Sequence, residues 1–214
     1  MKTNYQTILE EIIKENQKLN RKPKVLMHSC CAPCSSYVLE YLSKYFEITL
    51  FFYNPNITDE DEFNKRKEEL IRLNSEIVPQ NAIDIIVGEY EPDKFMSMAK
   101  GLEDLPEGSN RCFKCYEMRL RKTAELAKEK QFDYFCTTLS ISPYKNADKL
   151  NSIGELLSQE YNIPYLYSDF KKNNGYKRSI ELSKNYHLYR QNYCGCIFSK
   201  KQAELKNKNI NGAF

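Results

Sequence analysis

Short apolar runs alternate with helix-length segments along most of this 214-residue chain, and that rhythm constrains its fold more than any other feature. KVLMHS (24–29), EITLFFYNPN (47–56), AIDIIVGEY (82–90) and FDYFCTT (132–138) are rich in the β-branched and aromatic residues that strands favour. Between them lie the helix-like SSYVLEYLSKY, a charged helical segment from about Asp59 to Asn74, and the long RCFKCYEMRLRKTAELAKEK. Strands separated by helices of this length make βαβ units, because parallel neighbours need a crossover connection. The expected fold is a single α/β domain with a mostly parallel sheet flanked by helices. Ser35 or Ser36 is expected to cap the helix after KVLMHS. Residues 148–161 are predicted helical, and IPYLYSDF (163–170) is predicted to be a late strand. Ahead of the first strand, Ile8, Ile12 and Ile13 at helical spacing predict an amphipathic helix from about Tyr5 to Leu19, ended by the RKPK break.

With 41% hydrophobic and 29% charged residues, the chain has the composition of a soluble globular protein and not of a disordered one. Glu10, Glu11 and Glu15 interrupt the N-terminal apolar residues, so no secretory signal is expected, and no run approaches a membrane span. A cytoplasmic location follows as an expectation. Ordinary thiols stay reduced there, so eight cysteines point to metal or redox chemistry before structural disulfides. The net charge of +3 is uneven: residues 171–214 hold ten Lys and Arg against two acidic residues, which leaves the first 170 at −5. Such a basic end is either a solvated surface or a patch that meets phosphates.

Three cysteine sets carry the chemistry. Cys30, Cys31 and Cys34, in HSCCAPCSS, follow directly on the first strand. Ligand sites of open α/β sheets lie at such strand-to-helix junctions, and a helix N-terminus favours the thiolate. Cys112 and Cys115 form a C-x-x-C with Arg111, Lys114 and Arg119 nearby to stabilise negative sulfur. Together with Cys31 and Cys34 they fit a tetrahedral zinc site, but Cys30 is then one ligand too many, and an iron-sulfur cube also takes four thiolates. Cys194 and Cys196 flank Gly195; a disulfide between them would close a small, strained, easily reduced ring, and two further metal ligands are the other reading. Cys136 stands alone in FDYFCTT and reads as core. His28 could serve as an acid, a ligand or a hydrogen-bonding partner; for it and for His187 a structural role is the plainer reading. No Walker loop and no dinucleotide fingerprint is present.

HSCCAPCSS, RCFKCYEMRL, TTLSISPYKN and DFKKNNGYKRSIELSKNYHLYRQNYCGC, in that order, resemble the QueH-type epoxyqueuosine reductases, which finish the queuosine modification of tRNA without cobalamin. The resemblance covers roughly Lys24 to Ser199 with no departure at the cysteines. It implies a fold related to the nucleotide α-hydrolase (HUP-like) domains, with HSCCAPC where PP-loop relatives carry a phosphate-binding Ser-Gly-Gly loop. It divides the chain into an N-terminal helix (1–22), an iron-sulfur catalytic domain (23–199) and a basic C-terminal tail (200–214). It also implies a 4Fe-4S cluster on Cys30, Cys31, Cys112 and Cys115, and a redox-active disulfide between Cys194 and Cys196. An additional iron beside the cluster would find a ligand in Cys34.

The implied partners are tRNA carrying epoxyqueuosine and an electron donor, with no membrane. The reaction needs two electrons and two protons, so the Cys194/Cys196 dithiol or the extra metal serves as a second store beside a cluster that passes one electron at a time. A metal there could act on the epoxide oxygen as a Lewis acid. Tyr144, His28 and Asp169 are the candidate proton donors, and Lys145, Lys171, Lys172, Lys177, Arg178 and Arg190 the candidate phosphate contacts, with tail tyrosines to stack on unpaired bases. Two other readings stand beside this one: an ATP-dependent PP-loop-like tRNA sulfurtransferase, and a zinc-stabilised RNA-binding module.

Overall fold

The computed structural model describes residues 3–77 and 83–211, with side chains to residue 207. Ala82 of the third predicted strand and residues 212–214 of the predicted tail lie outside these ranges.

Four parallel strands form the sheet: β1 (Lys24–His28), β2 (Glu47–Phe52), β3 (Asp84–Val87) and β4 (Tyr134–Thr137), in the order β3-β2-β1-β4. The central β1 is buried on both faces, as a strand covered by helices must be. Alternation of side chains splits its apolar residues between two cores. Val25 and Met27 pack with Leu50 and Phe52 of β2 against α1 (Tyr5–Lys18), α2 (Ala32–Leu42) and α3 (Glu60–Glu76), through residues such as Leu9, Leu39 and Leu70. Leu26 packs on the other face with Phe51 and Phe135, against Leu120 of α5 (Asn110–Glu129) and Leu157 of α6 (Ala147–Tyr161). The short α4 (Pro92–Ala99) seals the side of α5 through Phe95. The expected α/β architecture is the observed one.

Two local expectations are corrected. Ser35 and Ser36 do not cap α2; Cys31 is its N-cap residue, and the two hydroxyls lie inside the helix, donating to the carbonyls of Cys31 and Pro33. IPYLYSDF does not become a strand: only Tyr165 bridges to Phe135, after which the Asn151 side chain takes both the N–H and the carbonyl of Ser168. A side-chain amide thus replaces the ladder partner. The basic end is largely helical, with α7 (Gly175–Asn185) and α8 (Ile197–Asn211), and α8 runs continuously through position 200. Packing of α7 on α2 is close at Gly175, where a Cβ would lie 2.1 Å from the Phe170 carbonyl oxygen and 2.4 Å from the Tyr37 ring.

From β1 the chain moves outward to β2 and β3, then returns to place β4 on the other side. The carboxyl ends of β1 and β4 therefore flank the crevice where the strand order reverses, the customary ligand position in such sheets. The His28–Cys34 turn and the 3-10 turn Thr138–Ile141 meet there.

Candidate metal and redox site

Cys30, Cys31 and Cys34 are held by the way β1 passes into α2. The Ser29 N–H donates to the Phe51 carbonyl, Asn54 donates to the Ser29 carbonyl at 2.8 Å, and the Cys30 N–H reaches Thr138 Oγ1 at 3.4 Å. Pro33, in the first helical turn, needs no N–H partner, so the turn can be tight. Three sulfurs result within 4.8 Å of one another, close enough to hold a metal ion, with Cys30 and Cys31 Sγ 3.7 Å apart. Hydrogen bonds from Cys30 and Cys34, with the Arg66 charge in support, hold the Cys31 thiol well below its usual range. The same bonds push Cys30 up to about 11 and raise Cys34.

Cys112 and Cys115 come from the first turns of α5, and Cys194 and Cys196 from the loop that enters α8. All four line one small space with room for about 10 Å³, no more than a water, together with Arg111, Tyr116, Arg119 and Lys145. Burial pushes Cys115 up to about 12. The Cys194 carbonyl accepts from Arg66 Nη1 at 3.2 Å and Asn56 Nδ2 at 3.3 Å. Gly195 has φ +113°, and a Cβ there would meet Ile57 Cγ1 at 2.9 Å, so both backbone and space require glycine. No two of the eight cysteines are disulfide-bonded in this structure. Cys194 also faces a second, larger cleft of about 450 Å³ whose wall carries Cys30, Cys31 and Cys34.

Four buried cations surround these sulfurs. Arg66 (3% exposed) pairs with Glu62, and Lys145 (8%) with Glu107 at 2.8 Å while its ammonium lies 3.2 Å from Cys194 Sγ. Burial opposes the Lys145 charge, but Cys194, Tyr116 and Glu107 raise its pKa well above the usual range. Arg111 and Arg119 (1% each) have no carboxylate partner among the described residues. Arg111 Nη1 donates to the carbonyls of Leu102, Glu103 and Leu105, and Arg119 Nε to that of Cys115. Arg111 Nε and Nη2, Arg119 Nη2 and the Tyr116 hydroxyl are buried with no hydrogen-bond partner.

The remaining candidates are dispersed. His28 is fully buried between Thr137 Oγ1 and the Tyr53 carbonyl, and burial lowers its pKa to about 3, so it is a neutral structural group and not a proton donor. Asp169 pairs with Lys171. Tyr144, 76% exposed, stands on the wall of the large cleft with Arg190. Lys145 is turned inward and is not a surface phosphate contact; Arg178 is held by Glu40 and Glu181, while Lys172, Lys177 and Lys114 are exposed. Cys136 is core, its thiol donating to the Leu166 carbonyl at 3.0 Å. Sequence reading missed Arg66, Glu107 and Thr138. Arg66 had a signal: it occupies the buried stripe Phe63, Arg66, Leu70, Leu73 of α3, where an arginine is out of place unless paired.

Among solved structures, the U34-tRNA thiolase NcsA from Methanococcus maripaludis, with its [4Fe-4S] cluster, matches with a TM-score of 0.52 over 97% of this chain and 74% of its own. At 11% identity that likeness is one of fold alone. Sequence comparison reaches further. A family model described as "Epoxyqueuosine reductase QueH" matches residues 25–202. Relatives of the same name are 44% identical in Staphylococcus epidermidis (98% of this chain, 90% of the relative) and 43% in Streptococcus pyogenes serotype M1 (94% and 79%). The Thermotoga maritima relative is 35% identical over 86% of this chain and 96% of its own. The paired cysteine turns at the sheet's reversal point are therefore those of a chain that belongs to the QueH epoxyqueuosine reductase family.

Proposed function

We propose that this protein is an oxidoreductase that converts epoxyqueuosine to queuosine at the wobble position of tRNA, the last step of queuosine formation, in the cytoplasm. Beyond family membership, one observation carries the reading: Cys30, Cys31, Cys34 and Cys194 face the same cleft, whose volume suits a small-molecule site. In the reaction both C–O bonds of the epoxide break, a C=C bond forms and the oxygen leaves as water. Two electrons and two protons are consumed. A Cys194/Cys196 dithiol balances this, since each thiol gives up one electron and one proton as the S–S bond forms, and an electron donor then restores the pair.

The site's residues fit an iron-sulfur cluster. Buried guanidinium donors without partners, set among thiols, are costly unless an anionic group completes them. The proposed ligands are Cys30, Cys31, Cys112 and Cys115, with Cys34 for an adjacent iron. The closeness of Cys34 to Cys30 and Cys31 favours a second assignment, in which all three ligate the cluster. When bound, the cluster supplies electrons one at a time, and an adjacent iron supplies Lewis acidity. The chain's own residues do the rest. Arg66 and Asn56 fix the Cys194 carbonyl and so aim its sulfur at the cleft. Lys145 sets a positive charge against that sulfur. Tyr144 offers a ring for an unpaired base and Arg190 a charge for a phosphate.

Incubating anaerobically purified protein with epoxyqueuosine-containing tRNA and a reductant, then digesting the tRNA for nucleoside mass analysis, tests this. The expected result is a product lighter by one oxygen; no conversion by iron-loaded protein would reject the reading.

A further inference from the structure

The buried cations around the thiols do not balance. Arg66, Arg111, Arg119 and Lys145 carry four positive charges, and the carboxylates paired with them, Glu62 and Glu107, carry two. The excess lies on Arg111 and Arg119. They differ in what they hold: Arg111 grips three carbonyls of the loop before α5 and lies over the Phe198 ring at 4.7 Å, a structural clamp. Arg119 makes one backbone bond, to Cys115 within its own helix, and leaves Nη2 unpartnered. It lines the small space with Cys112, Cys115, Cys194 and Cys196, and its neighbours on α5, Tyr116 and Leu120, belong to the core cluster against which Cys30 and Cys112 both pack. Arg111 shares that space and likewise has no carboxylate partner among the described residues, but its Nη1 is committed to three loop carbonyls, whereas Arg119 has only the Cys115 carbonyl and the Tyr116 ring, 6.0 Å away.

We propose that Arg119 is a positioning residue of the electron-transfer chemistry: its fixed charge, buried beside the thiols without a carboxylate partner, stabilises the more negative, reduced state of the cluster they would hold. The inference rests on the proposed cluster. A buried charge within a low-dielectric site acts strongly and over several ångströms. Adding one electron to an already anionic cluster is therefore easier with Arg119 present, and removing its charge makes the cluster harder to reduce. No proton transfer is needed, since arginine stays charged throughout.

The test is a potentiometric titration of the anaerobically reconstituted protein, following the electron spin resonance signal of the reduced cluster, with iron and sulfide counted in each sample. Arg119→Met should move the reduction equilibrium at least tenfold toward the oxidised form, about 59 mV for one electron. Arg119→Lys, which keeps the charge, should stay within about threefold of the wild type. A loaded Arg119→Met protein with an unmoved potential would overturn the proposal. Should the methionine variant not load, the lysine variant decides: normal iron and potential support the charge role, and a tenfold shift overturns it. Wild-type protein that binds no iron overturns the cluster reading and this inference together, whereas a loaded wild type beside an unshifted variant overturns this inference alone.

Discussion

The turn at Cys30–Cys34 presents three thiols to the large cleft and the turn at Cys194–Cys196 presents one, Cys194, with Cys196 buried behind it; the two turns stand on different foundations. The first grows from β1, the most buried strand, and is tied by backbone bonds to β2 and by Thr138 to the end of β4. The second is a loop between two helices, held by side chains of Arg66 and Asn56 and by a glycine at positive φ. A sheet-anchored turn keeps its sulfurs in one arrangement, which suits ligands. A loop held by side chains can alter the separation of its two sulfurs, as a dithiol that opens and closes must. On this reading, holding iron and storing electrons are assigned to different mechanical settings in one cleft.

That contrast can be broken from either side. The largest effect is expected at Gly195→Ala: the side chain would occupy a φ of +113° and meet Ile57 and Arg66, costing about 3 kcal/mol. Thermal unfolding should move down by roughly 6–12 °C for a chain of this size. Turnover should fall with it while bound iron is retained, because the sheet-anchored turn is untouched. Loss of iron in this variant would erase the distinction. A smaller effect is expected at Thr138→Val, which keeps the shape but removes the acceptor of the Cys30 N–H, at a cost of about 1 kcal/mol and roughly 2–4 °C. An unchanged melting temperature would mean that this turn does not depend on β4.

Much of this molecule was legible in its sequence. The alternation of apolar runs and helices pointed to the parallel sheet because the central strand β1 is buried on both faces, and such a run cannot be amphipathic. The position of HSCCAPC after the first strand located the site. What stayed hidden depended on partners distant in the chain. Nothing in IPYLYSDF announces that Asn151 will satisfy Ser168 and end the ladder, and Ser35 looks like a cap until Pro33 and Cys31 are seen to start the helix one turn earlier. Lys145 looked like a surface cation because its neighbours in sequence are polar; Glu107 and Cys194, which bury it, lie 38 and 49 positions away. Arg111 and Arg119 were visible beside their cysteines, but not their want of carboxylates.

The division of labour between the two turns is tested most directly by counting iron and assaying turnover side by side in Cys30→Ser and Cys194→Ser proteins, prepared anaerobically with the wild type. Cys30→Ser is expected to lose most of its iron and at least a hundredfold of its activity, whereas Cys194→Ser keeps its iron and loses activity alone. Equal loss of iron in both, or full turnover in Cys194→Ser, would contradict this division.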